Sequence, residues 1–240
     1  MDQIKKLQKY IDESSHIVFF GGAGVSTESG IPDFRSVDGL YNMKYEYPPE
    51  TILSHSFLYS KPKEFYRFYN DKLIYPDARP NAAHYKLAEL EKAGKLLAVV
   101  TQNIDGLHQA AGSRTVFELH GTLEDNYCIG CYKRYKRADL PQFEDFPRCS
   151  CGKMIRPDVV MYGEGLDDDV VDGAVDAIAR ADLLIIAGTS MSVYPAAGLV
   201  QYFRGKHMVI INKSSTAADS MCDLVINGSV GRVLSAIEVR

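Results

Sequence analysis

The sequence predicts an α/β protein: a doubly wound, mostly parallel sheet with a smaller domain formed by two insertions. Three observations predict this. Strand-length runs such as "HIVFF", "LLAVVT", "DLLIIA" and "MVIIN" are apolar throughout, so both faces of each strand are covered. Segments with helical apolar spacing alternate with them, which is the pattern of a layered α/β fold. Two stretches, 42–82 and 124–157, interrupt the alternation and then return to it.

The elements follow in order. Residues 3–13 carry Ile4, Leu7 and Ile11 at helical spacing, and "HIVFFGGAG" is a buried strand entering a tight glycine turn. "NAAHYKLAELEKAGK" is a helix with Gly94 near its end, followed by the strand "LLAVVT" and the short strand 115–119. "PDVVMYGE" reads as a further strand. Val171, Ala174, Val175 and Ile178 share one face of a helix over 168–181. The strand "DLLIIAGTS", a helix over 195–204, the strands "MVIIN" and "DLVIN" and a helix over 230–238 complete the chain. This divides it into a Rossmann-like domain (1–41, 83–123 and 158–240) and a small domain (42–82 and 124–157). Ligands of such folds sit at the carboxyl ends of the strands.

The chain has 240 residues, 46% of them apolar and 24% charged, with a net charge of −4. Such a balance disfavours an electrostatic binder of polyanions, and the one basic run, "CYKRYKR", reads as a solvated face. No nucleic-acid partner is expected. The N-terminus lacks the apolar core of a signal peptide, and the longest apolar runs are too short to span a bilayer. A cytoplasmic protein with no membrane partner is expected.

Four of the five cysteines are clustered as Cys128-x2-Cys131 and Cys149-x-Cys151. In a reducing compartment this favours one tetrahedral Zn²⁺, and four thiolates leave no open position, so the metal is structural. The small domain is thus a zinc-binding module plus a helical lobe. Cys222 reads as a small buried hydrophobe.

Chemistry-bearing residues cluster just after strands. "GGAGVSTESGIPDFR" (21–35) places Gly22 and Gly24 where the backbone can approach a phosphate, with Ser26 as a hydroxyl donor. Thr27 stands where a dinucleotide fingerprint has its third glycine, so an ordinary dehydrogenase is disfavoured. Gln102, Asn103 and Asp105 follow "LLAVVT" and are costly to bury unless bonded, which makes them ligand contacts. "AGTS" adds Thr189 and Ser190 as donors, and Asn212 either holds a ribose hydroxyl or forms a turn. His120, in "FELHG", is either a satisfied core imidazole or a catalyst beside the domain seam.

In this order, "GAGVSTESGIPDFR", "TQNIDGLH", "HG" at 120–121, the four cysteines, "GTS" and "IIN" closely resemble the sirtuin family of NAD-dependent protein deacylases, most of all its compact bacterial members. The resemblance covers nearly the whole chain. It implies an NAD-dependent protein-lysine deacetylase that transfers the acetyl group to ADP-ribose, releasing nicotinamide, which is also an expected inhibitor. His120 would be the general base, acting with Asn103. Gly22, Ala23, Gly24, Ser26, Thr27, Phe34, Arg35, Gln102, Ile104 and Asp105 would contact NAD, as would Gly188, Thr189, Ser190, Asn212, Lys213 and Val230. Val160, Tyr162, Gly163, Glu164 and Tyr194 would receive the acetylated-lysine peptide by pairing with its backbone. Mono-ADP-ribosyl transfer is the rival enzymatic reading, and a zinc-ribbon nucleic-acid binder the non-enzymatic one.

Members that remove dicarboxylic acyl groups carry a Tyr-x-x-Arg pair, and this chain has Tyr69 with Lys72. An ammonium lacks the bidentate fork that a carboxylate fits. Acetyl-lysine peptides should therefore be turned over with a kcat/KM well above that of matched succinyl-lysine peptides, and equal values would refute the expectation.

Overall fold

The computed structural model describes residues 2–34, 39 and 46–240. Its main sheet is wholly parallel, with strand order β3-β2-β1-β7-β8-β9. The strands are β1 (Ile17–Gly21), β2 (Leu96–Thr101), β3 (Val116–Glu118), β7 (Leu183–Ala187), β8 (His207–Asn212) and β9 (Leu224–Asn227). The chain lays down β1 to β3 in one direction, then crosses to the other side of β1 for β7 to β9. The reversal leaves a crevice at the carboxyl ends of β1 and β7, where neighbouring connections leave on opposite faces.

Both faces are buried, as the unbroken apolar runs require. Ile17 and Phe19 face one core with α1 (Gln3–Glu13), α5 (Ala82–Lys92) and α8 (Val230–Ser235). Val18 and Phe20 face a second core with α7 (Asp168–Arg180). Each such fully buried side chain contributes roughly 1.5–3 kcal/mol. The short α6 (Leu107–Ala110) follows β2 and packs on α5 through His108 and His84. Asp2 caps α1 through the Ile4 N–H, and Asp167 caps α7 through the Val170 N–H. Asn81 and His84 form a reciprocal cap at the start of α5.

A second sheet is antiparallel, in the order β5-β4-β6: β4 (Gly121–Cys128), β5 (Arg134–Lys136) and β6 (Ile155–Val159). The helices α2 (Pro49–Ile52), α3 (His55–Ser60) and α4 (Pro62–Lys72) pack against it, and their Phe57, Leu58, Phe65 and Tyr66 share one core with Leu123, Met154 and Met161. The two insertions therefore bury a common apolar face.

Two sequence expectations need correction. The strand expected over "PDVVMYGE" begins earlier, at Ile155, joins the small antiparallel sheet and ends at Val159. Beyond it, Glu164 N–H turns back onto the Met161 carbonyl (2.9 Å), so the chain cannot stay extended. The helix expected over 195–204 is a 3-10 coil over Ala196–Tyr202. The segment follows a proline and carries Gly198, a poor helix former, inside it.

Gly121 sits at φ +73°, and a Cβ there would lie 2.1 Å from the Asp158 carbonyl oxygen. Gly94, at φ +75°, faces open space. Gly121→Ala should lower the unfolding free energy by more than about 2 kcal/mol and Gly94→Ala by about 1 kcal/mol, read from urea unfolding. Equal losses would show that the steric conflict at Gly121 is relieved elsewhere.

Candidate active site

The crevice opens into a cleft of about 560 Å³, within the range of small-molecule sites. Its floor is made by turns that follow the parallel strands. The Gly24 N–H donates to the Gly188 carbonyl at 2.8 Å, bringing the turn after β1 against the turn after β7. Cβ atoms on Gly22, Gly24 or Gly188 would come within 2.5–2.9 Å of the opposite turn. These glycines thus serve loop-to-loop contact, and Gly22 is buried against Thr189 and does not line the cleft.

Polar side chains after β1 and β2 form one network. Ser26 Oγ donates to Asp105 Oδ2 at 2.6 Å and accepts from Asn103 Nδ2 at 3.0 Å, while Asp105 Oδ1 accepts the Leu107 N–H at 2.9 Å. Ser26 is 1% exposed, and its hydroxyl serves this network at the edge of the cleft. Gln102 Nε2 donates to Thr189 Oγ1 (3.1 Å), and Asn212 and Thr189 exchange two bonds of 3.1 and 2.8 Å. Asn212 thus braces the turn after β7 while lining the cleft. Ala23, Gly24, Thr27, Phe34 and Ile104 also line the cleft, as do Gly188, Ser190, Lys213 and Val230. Arg35 lies outside the described residues.

His120 lines the same cleft, just beyond the end of β3. Its Nδ1 lies 3.0 Å from the Gln102 carbonyl oxygen. A carbonyl only accepts, so Nδ1 carries the proton and Nε2 the lone pair. Burial lowers the His120 pKa, outweighing the Gln102 bond, and the ring is neutral at pH 7. Behind it, burial lifts the Glu118 carboxyl to about 7. His84 and His108 pack with ring centroids 4.7 Å apart, and burial lowers both, His108 to about 3.

The opposite wall is the segment after β6. Val160, Tyr162, Gly163 and Glu164 line it, with Tyr194 across the cleft. The Val160 N–H donates to the His120 carbonyl, and Tyr162 is bracketed by Leu53 and His55 through two 2.9 Å bonds. Glu164 Oε2 accepts from Arg156 Nη2 and from the Met161 N–H, each at 2.9 Å, and Oε1 lies 2.7 Å from His55 Nδ1. Burial raises the Glu164 carboxyl, but these donors outweigh it and hold it at about 2. Glu164 therefore acts structurally, and its N–H is already used by Met161. Sequence reasoning missed Arg156 and His55, because nothing local links them to position 164. It also missed Leu53, Leu123 and Met161, whose apolar side chains line this end. Tyr69 and Lys72 line it too, with Lys72 Nζ 3.0 Å from Asp71 Oδ2.

The four cysteine sulfurs lie within 4.8 Å of one another, with Cys128–Cys151 at 3.4 Å and Cys131–Cys149 at 3.6 Å. A tetrahedron of Zn–S bonds of about 2.3 Å has edges of about 3.8 Å, so the four sulfurs fit one zinc. Among the described residues no other such cluster occurs, and no helix is long and apolar enough to cross a membrane.

Comparison with known proteins places these features in context. Residues 22–195 match the Sir2 family. The chain is similar to an NAD-dependent protein deacetylase of Clostridium perfringens (strain 13 / Type A), 58% identical with 98% of each chain covered. It is also similar to a solved Sir2 variant with deacetylated p53 peptide and 3′-O-acetyl ADP ribose, at 41% identity and TM-score 0.90, covering 97% of this chain and 96% of that one. A Sir2–p53 peptide–NAD⁺ structure is 41% identical with TM-score 0.86, covering 96% and 95%.

Elemental analysis should find one zinc per chain. Cys128→Ser should lose it together with the cooperative unfolding of the small sheet, because structural zinc supplies on the order of 10 kcal/mol of folding energy. A variant that lost the ion yet unfolded like the wild type would contradict a structural role.

Proposed function

This chain belongs to the Sir2 family and is an NAD-dependent protein deacetylase, and we propose that the cleft at its switch point performs the reaction with His120 as general base. The observation that carries the assignment is convergence. One cleft holds an imidazole with its Nε2 lone pair available, the Ser26–Asn103–Asp105 network and a wall formed by Val160, Tyr162 and Gly163.

When bound, NAD⁺ supplies the ADP-ribosyl group that accepts the acetyl, with nicotinamide as the leaving group. With one water consumed, the products are free lysine, nicotinamide and O-acetyl-ADP-ribose. Ala23, Gly24, Gly188, Thr189 and Ser190 hold the cofactor's phosphates and ribose in this reading, and Lys213 and Val230 its adenosine end. Asn103 and Asp105 orient the nicotinamide end, their side chains fixed in place by Ser26. Gln102 fixes the His120 tautomer, so that the ring accepts a ribose hydroxyl proton at Nε2. Val160 and Tyr162 flank the acetyl-lysine. Gly163 supplies backbone partners to the peptide, and Tyr194 borders it opposite.

The small domain of the two insertions closes over one side of this cleft in the same reading. A cytoplasmic location fits thiols that must stay reduced to hold zinc.

Incubation with an acetyl-lysine peptide, with and without NAD⁺, should give deacetylated peptide and O-acetyl-ADP-ribose by mass only when NAD⁺ is present. A peptide gaining the mass of ADP-ribose would instead mark ADP-ribosyl transfer. His120→Ala should lower kcat by about 10²- to 10⁴-fold. Because burial lowers the His120 pKa, kcat/KM should rise with pH along a limb centred below about 6.5 and stay level above it. Glu118→Gln should keep that limb, whereas its disappearance would assign the ionisation to Glu118.

A further inference from the structure

The turn carrying Ala23 to Ser29 is held from several sides. Gly24 meets Gly188, and Ser26 meets Asn103 and Asp105. Asn81 Nδ2 donates to the Val25 carbonyl at 2.8 Å and to Ser29 Oγ at 2.9 Å. The remaining hold is made by Glu28, which does not itself line the cleft. Its Oε2 accepts the Gly231 N–H at 2.7 Å, and its Oε1 accepts from Ser229 Oγ at 3.3 Å.

Two features of the partner segment fit this contact. Gly228, Ser229 and Val230 line the cleft, so the segment that Glu28 grips is part of the site. A Cβ on Gly231 would lie 2.7 Å from Glu28 Oε2 and 3.0 Å from its Cδ. The contact therefore needs an acceptor at 28 and the absence of a side chain at 231, two residues 203 apart in sequence.

We propose that Glu28 is a positioning residue that locks the turn after β1 to the segment after β9, fixing the distance between the two halves of the dinucleotide site. The proposal rests on the dinucleotide reading of the cleft. A ligand that reaches both segments gains from a preset spacing, because binding need not first order them. A ligand confined to one segment gains little. Glu28 is exposed, so water and salt moderate the bond and the effect is a few-fold change.

Calorimetric titration with ADP-ribose and with AMP, in the absence of peptide, tests this. Wild-type protein that failed to bind ADP-ribose would reject the dinucleotide reading itself. Given that binding, Glu28→Ala should raise the ADP-ribose Kd about three- to fivefold and the AMP Kd less than about twofold. Gly231→Ala should reproduce this pattern, and the double variant should be no worse than either single one. Glu28→Gln should recover most of the affinity, since its amide oxygen accepts the Gly231 N–H. In turnover, KM for NAD⁺ should rise while kcat and the peptide KM hold. Equal weakening of both ligands, additive losses, or a lower Tm with unchanged Kd would overturn the assignment.

Discussion

The site depends on one steric constraint, the backbone contact between the turns after β1 and β7. The sheet reverses its winding between these strands, and the two turns meet where their connections diverge. Gly24 and Gly188 lie so close that neither tolerates a Cβ. Gln102, after β2, bonds Thr189 across this contact, and on the β7 side Thr189 exchanges bonds with Asn212. A side chain at either glycine would spread the crevice and separate Gln102 from Thr189.

On this floor the polar groups bond to one another. Ser26, Asn103 and Asp105 satisfy one another at 1% and 7% exposure for the first two, where an unbonded hydroxyl or amide would be costly. The Gln102 carbonyl selects a single His120 tautomer, and burial keeps that ring neutral. Fixed dipoles of this kind need no reorganisation when charge moves, which is the general advantage of an enzyme site over water.

The far wall is set by a different balance. Burying a carboxylate at Glu164 is unfavourable, but Arg156, the Met161 N–H and His55 together reverse the sign. Arg156 stands on β6 and His55 on α3, so this cluster joins the small sheet to the helical lobe at the segment bordering the cleft. The four-cysteine cluster holds the other end of that sheet.

The sequence by itself determined the layered architecture, because a strand covered on both faces must be apolar throughout, and short runs such as "LLIIA" and "IVFF" alternate with helical spacing. It also determined the zinc ligands, whose spacing is local. The loops that carry chemistry were legible too, since polar residues following a buried strand are stable there only when bonded to a neighbour or a ligand. Among the described residues expected at the site, Gly22 alone falls outside the cleft. What tertiary structure decided was how those residues are used. Ser26 bonds Asp105, Asn212 braces Thr189, Glu164 is held by Arg156, and Glu28 reaches Gly231. Likewise, the end of the strand at Val159 depends on the Met161–Glu164 turn. Local pattern reports the environment a residue needs, but hydrogen bonds between residues tens or hundreds of positions apart are set only when the chain is packed.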